Sequence, residues 1–188
     1  MSGLLDGIME QIGPGGLSQM AQGLGADESA VSAAIAAALP AIIGGMANNT
    51  RSDDGASSLA NALNDHSPTI FDHLGSLLGS GGGDGAKILG HVLGRRQPYV
   101  EQQVAQKSGV NLDLIMKLLP ILAPLVMGYL SKQKQERNLG PGGLGEVLGA
   151  ERQEAERREP GLGGLGALLD ADGDGSALDD ILGRILKG

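Results

Sequence analysis

Two long apolar runs, Ala30–Ala47 and Leu114–Leu130, each interrupted by proline and glycine, constrain the fold of this chain more than any other feature. They are related by a fixed offset. Shifted by 84 residues, Gln19–Asn49 falls on Gln103–Gln133 without a gap, and Gln19/Gln103, Ala21/Ala105, Gln22/Gln106, Gly25/Gly109, Pro40/Pro124 and Gly44/Gly128 are identical. Val31/Ile115 and Ile42/Val126 are conservative pairs. The identities are few, but they sit where the backbone is decided: glycine supplies positive φ and proline removes a donor. Each copy reads as a short helix, a glycine, a capping Asp or Asn, and a long apolar helix, the self-similarity expected of a repeated supersecondary unit. The expected fold is therefore all-α. It is a multi-helical core with an internal duplication, units about 17–50 and 101–134, packed about a pseudo-twofold axis with both long helices at the centre.

The core must be aliphatic, because the chain has one Phe, two Tyr and no Trp. Without aromatic bulk, helices approach closely over Ala and Gly. Leu4, Leu5, Ile8, Met9 and Ile12 recur at helical spacing, and Gly13-Pro14-Gly15-Gly16 stops that helix. A short helix over Leu17–Leu24 ends at Gly25, and Asp27 caps a long helix to about Asn48 that Pro40 should kink or break. Arg51–Asn64 turns Leu59 and Leu63 inward, and Ser67-Pro68 starts a helix to Leu78. Residues 79–83 read as a flexible glycine connector, and Asp84 caps Gly85–Leu93. A helix over Pro98–Lys107 ends near Gly109, and Asn111 caps an apolar helix to about Lys132. No stretch alternates with period two, so no sheet is expected.

From Lys134 the texture changes. Residues 1–133 carry 7 basic and 11 acidic side chains, and residues 134–188 carry the same numbers in less than half the length. The expected organisation is a duplicated helical domain over 1–133, a Gly/Pro-rich and charged linker over 134–164, and a C-terminal segment over 165–188 with an Asp-rich loop and a short helix. Glu151–Glu159 reads as a solvated helix or a spacer. A smaller echo has an offset of 21: Gly142-Gly143-Leu144-Gly145 matches Gly163-Gly164-Leu165-Gly166, and Val147-Leu148 matches Leu168-Leu169. These are apolar hooks on a flexible arm, able to dock on the core or on another subunit.

The strongest chemical motif is Asp170-Ala171-Asp172-Gly173-Asp174-Gly175-Ser176. Carboxylates at alternate positions followed by glycine form the first half of an EF-hand-type loop, in which hard oxygens wrap one cation and Gly175 permits the sharp turn. The Ser176 carbonyl would be the next ligand, and Leu165, Leu168, Leu169, Ile181, Leu182 and Ile185 flank the loop with apolar surface. The closing half departs from the pattern, since Ile181 stands where a bidentate Glu is expected. Asp179 and Asp180 are the available substitutes in a shortened loop. The candidate metal ligands are Asp170, Asp172, Asp174, Ser176, Asp179 and Asp180, with calcium the expected ion. The plainer alternative is an Asx-turn in which Asp174 or Ser176 caps the last helix.

Other chemistries find little support. With no cysteine there is no disulfide, thiolate nucleophile or Cys-based zinc site. The net charge of −8 disfavours nonspecific binding to nucleic acid or anionic lipid. His66, His73 and His91 lack metal-ligand spacing, and no Gly-x-Ser-x-Gly elbow occurs. Gly81–Lys87 has the glycines of a phosphate loop but neither a preceding strand nor Gly-Lys-Ser/Thr. Arg95-Arg96 reads as an offset to a helix C-terminus. No enzyme is expected. Leu114–Leu130 carries one charge, Lys117, and is at the short edge for a membrane span, while its partner 30–47 is dominated by Ala and Gly. Buried central helices explain the pair, with membrane association through 30–47 and 114–130 as the alternative. The opening Met-Ser-Gly-Leu-Leu-Asp has neither a basic region nor a sustained apolar run, so a cytoplasmic location is expected.

The stretch Ile88-Leu-Gly-His-Val-Leu-Gly-Arg-Arg-Gln97, followed by Leu118-Leu-Pro-Ile-Leu-Ala-Pro-Leu-Val-Met-Gly128, resembles the bacterial domain of unknown function 937 family, related to the YidB-like superfamily. The resemblance covers roughly residues 3–133, and members often carry a Gly-rich tail ending in an Asp-Gly-Asp-Gly segment. It implies an all-helical fold and brings no activity, substrate or catalytic residue. The expected function is that of a structural or protein-interaction protein with a calcium-binding C-terminal loop, acting through an unidentified protein partner or as a homo-oligomer.

Overall fold

A computed structural model describes residues 3–158. Among these residues the chain is all-helical, running α1 (Leu4–Leu24), α2 (Glu28–Asn49), α3 (Asp53–Ala62), α4 (Leu74–Gly79), α5 (Gly85–Leu93), α6 (Gln97–Ser108), α7 (Leu112–Glu136) and α8 (Pro141–Arg158). A 3-10 segment, Pro68–His73, precedes α4, and a 3-10 turn, Gly94–Arg96, precedes α6. The expected stop in the first helix is a sharp bend: α1 leaves helical geometry at Gly13 (φ 59°, ψ 177°) and resumes at Pro14.

α2 and α7 are the centre of the molecule. They pack on each other, and α1, α5 and α6 pack on both. α7 is buried almost throughout from Leu114 to Gln133, whereas α2 buries Val31, Ala34, Ile35, Ala38, Leu39, Ile42, Ile43, Met46 and Ala47. Every one of those α2 positions is buried again 84 residues later, at Ile115, Leu118, Leu119, Leu122, Ala123, Val126, Met127, Leu130 and Ser131. The entries to the two helices match as well. Gly25 (φ 64°, ψ 40°) and Gly109 (φ 68°, ψ 15°) are left-handed, a conformation that costs glycine nothing. Asp27 and Asn111 follow in extended conformation as N-caps. Only Asn111 closes its cap with a side chain, its Oδ1 accepting the Leu114 N–H at 2.8 Å.

The break expected at Pro40 does not occur, because α2 runs through it from Glu28 to Asn49, and α7 likewise runs through Pro120 and Pro124. Each proline deprives the carbonyl four residues earlier of its donor. Pro40 orphans Ala36 and Pro120 orphans Met116, both exposed residues whose carbonyls water can reach. Pro124 orphans the inward-lying Pro120 carbonyl, and there the glycine segment intervenes. Gly82 and Gly85 are buried with their Cα atoms against that carbonyl: a Cβ on Gly82 would stand 2.6 Å from the Pro120 oxygen, and one on Gly85 would overlap it. Glycine at both positions lets the backbone close on that carbonyl, as a residue with a Cβ could not. Residues 79–83, expected as a flexible connector, therefore form a bonded turn on α7, with Gly82 N–H donating to Leu77 O at 2.9 Å and Gly85 N–H to Gly82 O at 2.8 Å.

Polar ties lock helix ends to this core. Ser131 Oγ donates to Leu63 O at 3.0 Å, and Lys134 Nζ donates to Ala60 O at 2.7 Å and to Asn64 Oδ1 at 2.6 Å. The lysine places its charge at the C-terminus of α3, where the helix dipole favours a cation. Asn49 Nδ2 donates to His91 O at 2.8 Å, joining the end of α2 to α5.

The linker expected over 134–164 is revised within its described part. Lys134–Glu136 complete α7, and 141–158 form α8, which packs on α2 and α3. Composition misled here because glycine-rich, charged sequence has low helix propensity, yet buried Leu144 and Leu148 and packing along α2 and α3 hold the helix.

Candidate functional site

The six candidate metal ligands, Asp170, Asp172, Asp174, Ser176, Asp179 and Asp180, lie outside the described residues, as does the short helix expected after them. Among the described residues no group of three or more His, Cys, Asp or Glu side chains is placed to hold a metal ion. The histidines are not brought together. His66 Nδ1 lies 2.8 Å from Ala62 O and His91 Nδ1 lies 3.3 Å from Lys87 O, each bonded back one helical turn. His73 ends the 3-10 segment before α4.

In the glycine segment that has some features of a phosphate loop, the buried glycines face α7. Its one cation, Lys87, donates to Asp84 Oδ1 at 2.8 Å on the solvent side. That hydrogen bond and charge hold the Asp84 carboxyl below its ordinary range and push the Lys87 ammonium above its own. Asp84 is thus an exposed ion-pair partner, without the side-chain cap expected of it. Tyr129 lies over Gly7, where any Cβ would overlap its hydroxyl; burial raises its pKa, and Gln133 Nε2 donates to its Oη at 3.3 Å. An open depression of about 470 Å³ at the α1–α2 turn is lined by Ser18, Ala21, Gln22, Gly25, Ala26, Asp27 and Glu28. It presents an amide, a hydroxyl and two carboxylates but no nucleophile paired with a base.

The most built feature is the seat of α8. Its opening, Pro141-Gly142-Gly143-Leu144-Gly145, brings Leu144 and, one turn on, Leu148 to the core, and both are completely buried. Val147 and Leu139 pack beside them. Gly145 faces the end of α2: a Cβ there would stand 3.5 Å from Thr50 O and 3.8 Å from Thr50 Cβ. Further along, Arg152 donates to Asn48 Oδ1 at 3.1 Å. The seat therefore reads a short helix by two leucines one turn apart and a small residue between them, with one polar tie beyond. The sequence signals the hook through the Gly-Gly-Leu-Gly echo. It does not signal the seat, which α2 and α3 form only once folded.

A family model for bacterial proteins of unknown function, DUF937, matches residues 6–133. No curated protein and no solved structure matches the chain. The match covers the body from α1 through most of α7 and stops before α8.

Proposed function

The chain belongs to the bacterial DUF937 family of proteins of unknown function, and from that premise we propose a non-enzymatic structural or protein-interaction protein, an internally duplicated helical body that carries a calcium-binding C-terminal loop. The duplication is supported by the matched burial of α2 and α7 and by the paired left-handed glycines before their caps. The calcium reading rests on one observation, the Asp170-x-Asp172-x-Asp174-Gly175 spacing, which is the opening half of a calcium loop. Ile181 at the closing position removes the usual bidentate ligand, so Asp179 or Asp180 completes the shell. The expected affinity is on the order of 10⁻⁴ M, the weak end for such loops. A single loop of this kind acts as a clip that orders the arm.

The test is calorimetric titration of the full chain with Ca²⁺, alongside its melting temperature. Binding of a single Ca²⁺ per chain with a rise in melting temperature is expected, both lost in Asp172→Ala with Asp174→Ala. A parent protein that shows neither overturns the calcium reading and leaves the helix-capping Asx-turn.

The membrane alternative rests on α2 and α7, whose most apolar windows reach mean hydropathies of 1.9 and 1.8. Of those windows 56% and 83% are buried by the rest of the fold, which supports a core role for both helices. A cytoplasmic protein with a protein partner or a second copy is the proposed setting. Co-flotation with liposomes would overturn it in favour of a membrane role.

A further inference from the structure

We propose that the α2–α3 seat is a binding site for the hook pattern itself, and that residues 163–169 of the same chain are its second occupant, in exchange with α8. The two segments, Gly142-Gly143-Leu144-Gly145-Glu146-Val147-Leu148 and Gly163-Gly164-Leu165-Gly166-Ala167-Leu168-Leu169, are identical at five of seven positions. The positions that match are those the seat reads. Leu144 and Leu148 are the buried anchors, repeated as Leu165 and Leu169. Gly145, beside Thr50, is repeated as Gly166. The differences fall where the seat is tolerant: Glu146 is exposed, so Ala167 loses nothing, and half-buried Val147 becomes Leu168.

Both occupants share the apolar anchors, so the choice between them is set by what surrounds those anchors. α8 adds the Arg152–Asn48 hydrogen bond, whereas the counterpart of Arg152 in the second copy is Gly173. α8 therefore holds the seat at rest, and the second hook takes it when α8 is weakened. Exchange within one chain is favoured over exchange between chains by effective concentration. Twenty-eight residues separate Glu136, the end of α7, from Leu165, ample to reach the seat once α8 lets go. The hook pattern ends at Leu169, directly before Asp170, so the exchange is measured without added calcium.

The absence of cysteine makes the test direct. In the full chain, Thr50→Cys with Gly145→Cys is the control, because the 3.8 Å Cβ separation between those positions suits a disulfide. Thr50→Cys with Gly166→Cys reports the second hook. Under mild oxidation the control closes within the monomer and the reporter closes slowly. Adding Leu144→Ala and Leu148→Ala raises the reporter rate roughly tenfold or more, since tenfold corresponds to about 1.4 kcal/mol, less than removal of one buried leucine costs. Further adding Leu165→Asp and Leu169→Asp abolishes that rise. Circular dichroism verifies that each variant stays helical. No reporter disulfide in the weakened background, while the control closes, overturns the proposal. So does a disulfide that appears only in dimers, which would make the second occupant another copy of the chain.

Discussion

At the scale of single residues, the glycines divide into those that fill space and those that merely interrupt a helix. Gly85 belongs to the first kind, because a methyl group there would overlap the Pro120 carbonyl that Pro124 leaves without a donor. Gly90, on the exposed side of the same helix, meets nothing within 4 Å. Gly85→Ala is expected to lower stability by about 1–3 kcal/mol through overpacking, whereas Gly90→Ala raises it by roughly 0.5–1 kcal/mol through helix propensity. Urea midpoints distinguish them, and equal effects would contradict the packing assigned to Gly85. Tyr129 gives a second residue-level expectation. Burial pushes its phenol above the ordinary value of 10.0, so the folded chain keeps that proton longer than the unfolded chain. Stability should therefore fall as pH rises through 10.0 toward the folded value, because the unfolded state binds fewer protons there. In Tyr99→Phe, which leaves Tyr129 as the sole tyrosine, tyrosinate absorbance should have its midpoint above 10.0. A midpoint at or below that value would show the phenol to be solvated.

Among elements, α8 is the clearest case of tertiary context overriding composition. Its glycines and mixed charges read as a linker, yet Leu144 and Leu148 are as buried as any residue of α2 or α7. Since α8 packs on α2 and α3 from outside the α2–α7 centre, its loss should be local. Leu148→Ala is expected to weaken the docking of α8 by about 2–5 kcal/mol. Hydrogen exchange should speed up in α8 amides while those of α7 stay protected. Loss of protection in both helices would mean that α8 is an integral part of the core. The long helices were more legible, because their caps are local chemistry: Asp27 and Asn111 each follow a glycine and open an apolar run. The sequence could not show that Asn111 would complete its cap bond while Asp27 would not, since that depends on side-chain rotamers in the folded turn.

For the molecule as a whole, the important fact is that the α1–α2 and α6–α7 segments do not bury their cores separately. α6 packs on α2, α1 packs on α7, and α2 packs on α7 directly. Ile35 and Leu119, equivalent positions with no exposed surface, should each cost about 2–5 kcal/mol when truncated to alanine. Both variants should still unfold in one transition, shifted by similar amounts. Two separate transitions in urea, followed by far-ultraviolet circular dichroism, would show that the halves are independent.

Local physics makes the helical class, the glycine stops, the caps and the two apolar runs readable from the residues alone, because helix periodicity and capping are settled within four or five neighbours. The Asp-rich spacing at 170–176 is a statement of the same local kind. Tertiary structure alone decided that proline would not end α2 or α7. An orphaned carbonyl is tolerable only if water or another group stands opposite it, and for Pro120 that group is Gly85, thirty-five residues away in the chain. It likewise decided that the hook at 142–148 has a seat, because an apolar face stabilises a helix only when something is there to bury it.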